Sequence, residues 1–187
     1  MENKENDMKK IKFGRFIPAV IFSLSLVIMC SGCGNSRTVK NAYNFYNKVQ
    51  LGQSKDDVDN TLKVTPKEKD SGFIYSDIDT GYGVTVYYDS DNLVKTKAMY
   101  NADNTKIFKL SNATVTEDQV ASISEGMTYD EVKTILGSEG KETITTVNPE
   151  DANNPISMMI WFNDDETGIY ITFNGYEGTV RNVKYWK

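Results

Sequence analysis

Carboxylates are the side chains in this sequence that most readily suggest a site. Three short segments concentrate them: Asp77 and Asp79, Asp89 and Asp91, and Asp164, Asp165 and Glu166. Such groups can coordinate calcium or serve as the two acids of a glycoside hydrolase. None of the segments has the ligand spacing of an EF-hand loop, and nothing distinguishes a catalytic pair from the other acids of an acidic chain. We therefore expect no metal, no other cofactor and no enzyme active site.

Two other residue types exclude further classes of reaction. The 187 residues contain no His, and the only two Cys are Cys30 and Cys33. Without His the chain lacks the commonest general base, the commonest transition-metal ligand and any Ser-His-Asp arrangement.

The N-terminal segment has the pattern of a secretion signal. Five basic residues precede an uncharged apolar run over residues 16–30, and this run is shorter than the roughly 20 residues that span a bilayer. Small residues before Cys33 resemble the lipobox at which bacterial lipoproteins are cleaved, although Cys30 stands where an aliphatic residue is usual. The resemblance implies a signal peptide over residues 1–32, diacylation of Cys33 and a lipidated tether over residues 33–37.

Lipidation at Cys33 would place the domain outside the cytoplasm, on the cell membrane or the outer membrane. The two acyl chains would anchor it there stably. Both thiols would then be absent from the mature domain, which excludes zinc thiolate sites, disulfides and cysteine nucleophiles. Cleavage would remove five basic and three acidic residues and change the formal charge from -5 to about -7. This balance argues against a nucleic-acid partner.

One short motif occurs twice, 74 residues apart. The aligned pairs are Gly52 with Gly126, Ser54 with Thr128, Asp57 with Glu131, Val58 with Val132, and Leu62 with Leu136. Ser54 and Thr128 are good N-cap residues, and Thr128 with Glu131 fits a capping box. Apolar spacings of three and four before Gly52, and a second capping box at Thr116, predict another helix ahead of each motif.

After each predicted helix pair the apolar period changes to two, which is typical of half-buried strands. Four strands are predicted in the second copy, over residues 142–147, 156–162, 168–173 and 180–186, and three or four in the first. The sequence thus predicts an α+β fold of two tandem units, residues 38–110 and 111–187. Each unit is a helix pair followed by an antiparallel meander, with the helices on one face of the sheet.

The segments "GMTYDEVKTILG" and "GQSKDDVDNTL", each followed by strands, resemble the β-lactamase inhibitor protein fold and the related SmpA/OmlA-type envelope lipoproteins. This resemblance implies binding through a sheet face and through two loops, here residues 77–83 and 163–168. The first loop is similar to the inhibitor's acidic-plus-tyrosine loop, with Asp79 near Tyr82. The second loop is entirely polar and lacks the family's inserted aromatic residue, and the inhibitor's disulfides are missing.

Strand alternation predicts a free sheet face rich in aromatic side chains. Ile169 and Ile171 should pack under the helices and leave Tyr170 on the other side, and the same pattern turns Tyr87 outward. Two further pairs of adjacent aromatic residues are Trp161 with Phe162 and Tyr185 with Trp186. Alternation places one member of each pair on this face. The predicted partner-binding residues are Tyr87, Tyr170, Trp161, Trp186, Asp79 and Tyr82.

Large aromatics on an open sheet face are typical of protein interfaces. We therefore expect a lipoprotein that binds another envelope protein through this face. The alternative is a glycan- or small-ligand-binding envelope protein, in which the same aromatics stack on sugar rings. Inhibition of a β-lactamase is a third possibility.

Overall fold

A computed structural model describes residues 42–175 and 178–187, without the side chains of residues 104–106. All of these residues belong to one compact unit. The predicted signal peptide, the tether and Cys33 lie outside the described residues. The predicted boundary between residues 110 and 111 falls at the end of a 3-10 helix, and as a domain boundary it stays a prediction.

Eight strands form a single antiparallel sheet in which neighbours in sequence are neighbours in space. In chain order they are β1 (Lys67–Lys69), β2 (Gly72–Ser76), β3 (Tyr82–Tyr88), β4 (Val94–Asn101), β5 (Lys141–Thr146), β6 (Ile156–Phe162), β7 (Gly168–Asn174) and β8 (Thr179–Trp186). The helices are α1 (Lys55–Leu62), α2 (Glu117–Val120) and α3 (Tyr129–Leu136), with 3-10 helices at Tyr46–Lys48 and Asn104–Leu110.

The predicted α+β fold of two helix-pair-plus-meander repeats is wrong. The described chain is mostly β, with one continuous sheet and few, short helices. The helix predicted before Gly52 begins outside the described residues; within them Ala42 is helical, a turn follows, and Tyr46–Lys48 form a 3-10 helix. The helix that starts after Thr116 ends within four residues. Helices this short have little stability of their own, so contacts with the sheet decide their conformation. Ladder pairs between Thr96–Ala98 and Ile144–Thr146 join the two expected units into one sheet.

The repeated motif has the same local structure at both places. Gly52 and Gly126 have φ angles of 79° and 87°, a left-handed region that favours glycine. The Gly52 amide donates to the carbonyl oxygen of Val94 at 2.8 Å, and the Gly126 amide donates to that of Val180 at 2.8 Å. Each turn is therefore tied to the strand that ends the following meander, β4 or β8.

Both α1 and α3 begin as the sequence predicts. The Ser54 hydroxyl accepts from the amide of Asp57 at 3.1 Å. Thr128 accepts from the amide of Glu131 at 3.3 Å, and the Glu131 carboxylate accepts from the Thr128 amide at 2.8 Å, which completes a capping box. Gly137 ends α3 in the left-handed conformation, as expected for a C-terminal glycine.

Two hydrophobic clusters lie under the helices on the same face of the sheet. One packs under α1 and consists mainly of Tyr46, Val49, Val58, Leu62, Tyr75, Val84, Val86 and Val94. The other packs under α2 and α3 and consists mainly of Ile123, Val132, Leu136, Trp161, Ile169, Ile171, Phe173 and Val180. The predicted inward orientation of the alternating residues on β3 and β7 is confirmed.

A third cluster fills one end of the molecule, beyond the short β4–β5 ladder. Its buried members are Ala42, Tyr82, Leu110, Ile160 and Phe162. Phe162 is covered by Phe108, with ring centroids 4.8 Å apart. The N-terminal segment and the second 3-10 helix thus close the space where β4 and β5 are no longer paired.

Candidate functional site: the open sheet face

The sheet face opposite α1 and α3, here called the open face, carries two rows of side chains that cross the strands. Cross-strand register defines the first row as Ile74, Thr85, Ala98, Ile144, Met158 and Thr172. The second row is Tyr87, Thr96, Thr146, Ile156 and Asn174. From β2 to β7 the side chains of both rows are uncharged, in a chain whose residues are 25% charged. The first row continues to Lys67 on β1, and Lys141 and Lys184 lie in the row of Tyr170 on the same face. An uncharged centre with charged residues at its edges is typical of a binding face.

Tyr87 lies at one side of the second row and is 36% exposed. Its ring covers Gly72, since a Cβ atom built on Gly72 would stand 2.8 Å from the ring edge. Next along the row, the hydroxyls of Thr96 and Thr146 are hydrogen-bonded at 2.6 Å. The missing side chain at Gly72 therefore lets the Tyr87 ring rest on the sheet, where it extends the open face toward β2.

Tyr170 and Trp186 belong to the same face by register, at its other side. Tyr170 pairs with Ile160 across β6 and β7 and is partly buried against the third cluster. Trp186 is 48% exposed, and its ring centroid lies 6.4 Å from that of Phe108. The structure thus leaves Tyr87, Tyr170 and Trp186 with accessible surface on the open face.

Trp161 was predicted to bind a partner, but it is 0% exposed. It has the same strand phase as Met159 and packs under α3, and its indole nitrogen donates to the carbonyl oxygen of Ser138 at 2.9 Å. Gly140 lies against the ring, since a Cβ there would stand 2.6 Å from it. Trp161 therefore belongs to the core, and its neighbour Phe162 takes the other face.

Tyr82 was also predicted at the interface, and it too is buried, at 2% exposure. It starts β3 with the inward phase of Val84 and packs in the third cluster with Ala42 and Leu110. Neither Trp161 nor Tyr82 can contact a partner in this structure.

Asp79 is exposed in the turn between β2 and β3. The Asp77 carboxylate holds this turn by accepting from the amides of Asp79 at 2.8 Å and Thr80 at 3.1 Å. The turn also presents Ile78, which is 96% exposed and was not predicted as a site residue. The apolar tip of this acidic turn lies in a segment without period-two patterning, which is why the alternation argument missed it.

The other acidic segments are also used in turns. Asp89 accepts from the amides of Asp91 and Leu93, both at 2.9 Å. Asp165 accepts from the amide and hydroxyl of Thr167, and these hydrogen bonds lower the pKa of its carboxyl. Within residues 42–175 and 178–187, no three Asp, Glu, Cys or His side chains are grouped to hold a metal ion.

A polar network on the helix side, where the two halves of the sheet meet, was not predicted. The Tyr46 hydroxyl donates to the Glu142 carboxylate at 2.9 Å and lies 3.0 Å from the Thr145 hydroxyl. Ser157 donates to the other Glu142 oxygen at 3.1 Å. The Lys97 ammonium donates to the carbonyl oxygens of Tyr46 at 3.3 Å and Val49 at 3.0 Å. These bonds hold the N-terminal described segment against β4 and β5.

Burial and the negative charge of Glu142 shift the pKa values of Tyr46 and Lys97. Burial, and next the negative charge of Glu142, raise the pKa of Tyr46 far above its usual range. Burial lowers the pKa of Lys97, and the charge of Glu142 opposes that shift. The Lys97 ammonium also lies 4.1 Å from the centroid of the Tyr46 ring, a contact that stabilises the charged form.

No protein-family model and no curated protein matches this chain. The resemblance to the β-lactamase inhibitor and SmpA/OmlA-type proteins therefore stays a prediction. In the part of the chain that the structure describes, no helix has the length and apolar character needed to cross a membrane.

Proposed function

We propose that this protein is an extracytoplasmic lipoprotein, anchored through Cys33, that binds a second envelope protein on its open face. It acts by binding, without catalytic turnover. The observation that carries the proposal is the pair of rows on this face, which are uncharged from β2 to β7 and include Tyr87, together with Tyr170 and Trp186 at the other side.

The chemistry of the face defines the surface that would fit it. From β2 to β7 its rows consist of Ile, Met, Ala, Thr, Tyr and Asn side chains, which offer apolar area, hydroxyl groups and one carboxamide and no charge. A charged group of a partner placed over these rows would lose its water without gaining an opposite charge. The complementary surface is therefore flat, apolar at its centre and poor in charged residues, as in the centre of many protein interfaces.

The aromatic residues at the sides supply anchor points. Tyrosine and tryptophan are enriched among residues whose truncation weakens an interface by more than about 2 kcal/mol. Tyr87 rests on Gly72, and Trp186 lies near Phe108, so both rings are partly ordered before binding. Less conformational entropy is then lost on association.

Chemical crosslinking in cells, with the lipid-anchored protein as bait, tests the proposal. One variant carries Tyr87→Ala with Tyr170→Ala, and a matched control carries Asp130→Ala with Thr134→Ala on the exposed side of α3. Once the captured protein is identified, its affinity for each purified bait is measured. We expect the tyrosine variant to bind at least about tenfold more weakly and the control to bind as the wild type does. Equal affinity for all three baits would place the interface elsewhere.

A further inference from the structure

The edge strand β8 is held by its turn in the same way as β4. The Val94 carbonyl oxygen accepts from the Gly52 amide at 2.8 Å, and the Val180 carbonyl oxygen accepts from the Gly126 amide at 2.8 Å. Each valine amide donates back to the residue after the glycine, at 2.8 Å in the first case and 2.7 Å in the second. Val94 and Val180 therefore occupy equivalent positions on the two strands.

The residues that follow the two valines also correspond. A β-bulge lies directly after each valine, at Lys95 and at Arg181, because these two residues have no partner in the register of β4 with β3 or of β8 with β7. Beyond the bulges, residues 182–184 of β8 are therefore the counterparts of residues 96–98 of β4.

The outer edge of β4 shows what this part of β8 can bind. There β5 pairs with residues 96–98, and the Lys95 carbonyl oxygen accepts from the Val147 amide at 2.9 Å. Because hydrogen-bonded positions alternate along an antiparallel ladder, Lys97 also directs its backbone N–H and C=O to β5. Its counterpart Val183 therefore directs the same two groups to the outer edge of β8.

The outer edge of β8 has no such neighbour. Beyond Val180, no strand pairs with it and no other segment forms a backbone hydrogen bond to it within residues 42–175 and 178–187. The short helix α2 contacts β8, but the 3-10 helix at Tyr46–Lys48 also contacts β4 and leaves room for β5. The edge at residues 182–184 is therefore open to a further strand.

A second copy of this chain does not offer a suitable strand. Residues 67–68 of β1 are Lys and Glu, and the same pair recurs 74 positions later at residues 141–142 of β5. The counterparts of residues 144–146, which pair with β4, are then residues 70–72. This segment includes the turn between β1 and β2, where two residues have φ angles of 50° and 63°. In a second copy β1 therefore cannot lie on β8 as β5 lies on β4.

The side chains of the edge restrict the strand that fits it. Val183 is half-buried on the helix side against the core, whereas Lys184 is exposed on the open face, opposite Tyr170. Lys184 forms no ion pair among the described residues, and it lies about 20 Å along the strand from the β7–β8 hairpin. A lysine on an edge strand opposes pairing with an apolar strand or with a second β8. A carboxylate directly across from it would instead be attracted.

We propose that β8 binds an extended segment of another protein at residues 182–184 and adds it to the sheet as a ninth strand. An acidic residue of that segment lies opposite Lys184. Backbone hydrogen bonds provide the affinity in this mode of recognition, and alternating side chains provide the specificity. The binding does not require the rows of the open face.

A peptide copy of β5 tests the proposal, because β5 occupies the equivalent edge of β4. The probe is residues 140–148 of this chain with Ile144→Glu, since Ile144 pairs with Ala98, the counterpart of Lys184. Backbone amide signals of the full chain in NMR spectra report binding. We expect saturable changes at residues 182–184 with a Kd at or below about 1 mM. Hydrogen exchange of the Val183 amide should slow, because this amide gains an acceptor.

Charge reversal tests the assigned register. Lys184→Glu should weaken binding of this peptide at least about tenfold. The same peptide with Ile144→Lys should bind that variant better than it binds the wild type. Lys67→Glu on β1, at the opposite edge of the sheet, is the matched control and should leave binding unchanged. Tyr87→Ala should also leave it unchanged, so a failure of binding on the open face can be distinguished from a failure here.

Three results would overturn the proposal. The first is no saturable change up to about 10 mM peptide. The second is a saturable change at residues 67–69 in place of residues 182–184, or equal weakening by both Lys→Glu variants. The third is protection of the Val183 amide that rises with protein concentration in the absence of peptide, because the occupant would then be a second copy of this chain.

Discussion

Replacement of Tyr46 by Phe tests the polar network that joins the two halves of the sheet. The substitution keeps the ring and its contact with Lys97. It removes the hydroxyl that donates to the Glu142 carboxylate at 2.9 Å and lies 3.0 Å from the Thr145 hydroxyl. A hydrogen bond to a charged group contributes about 1.5–3 kcal/mol and a neutral one about 1 kcal/mol. Glu142 keeps the Ser157 donor and is partly accessible to water, which reduces the loss. We expect the free energy of unfolding to fall by about 2–3 kcal/mol.

Urea denaturation followed by tryptophan fluorescence measures this change, because Trp161 is fully buried. Tyr87→Phe on the surface is the matched control and should change the free energy by less than about 0.5 kcal/mol. A double-mutant cycle of Tyr46→Phe with Glu142→Gln should show a coupling energy of about 1 kcal/mol or more. Equal effects of the two Tyr→Phe substitutions, or additive effects in the cycle, would refute the assigned role of the network.

Three further outcomes are expected. Gly140→Ala should destabilise the protein by about 1–3 kcal/mol in urea denaturation, because the new methyl group would overpack against Trp161; an unchanged midpoint would contradict the tight packing. Gly72→Ala should displace the Tyr87 ring. Because the ring is the flexible end of a side chain, the cost in stability should be small, but partner binding should weaken. Unchanged affinity for the partner would mean that the position of the ring is unimportant. Burial raises the pKa of six tyrosines, and the largest shifts are those of Tyr43, Tyr46 and Tyr75. The pKa of each of these tyrosines is higher in the folded protein than its unfolded value of about 10. Their contribution to the free energy of unfolding is therefore fully present below pH 10. It falls above pH 10 by up to about 1.4 kcal/mol per tyrosine and pH unit. Urea midpoints that stay constant from about pH 10 to 11 would disprove this.

The duplicated motif was the most predictable part of the structure. Capping residues and glycines act locally, so Ser54, Thr128 and Gly137 could be assigned to helix ends without any tertiary information. Strand phase was predictable on β7, because only one of its faces is consistently apolar. It was not predictable on β6, where "ISMMIWF" is apolar on both faces, and the buried Trp161 was therefore assigned to the surface.

Contacts between distant parts of the chain account for the remaining errors. Tyr82 is buried by residues near positions 42 and 110. The Tyr46 hydroxyl bonds to Glu142, 96 positions away. No pattern in the sequence predicts a contact between two residues this far apart. The length of a marginal helix also depends on tertiary packing, which explains why the helix after Thr116 ends within four residues.

Site-specific photocrosslinking in cells tests the central claim, binding through the open face, most directly. A photoreactive residue replaces Thr172 in the first row of this face, and in a second strain it replaces Thr134 on the opposite side. We predict a discrete protein adduct from position 172 that disappears when Tyr87 and Tyr170 are changed to Ala, and none from position 134. Adducts formed equally from both positions, or from position 134 alone, would contradict the account.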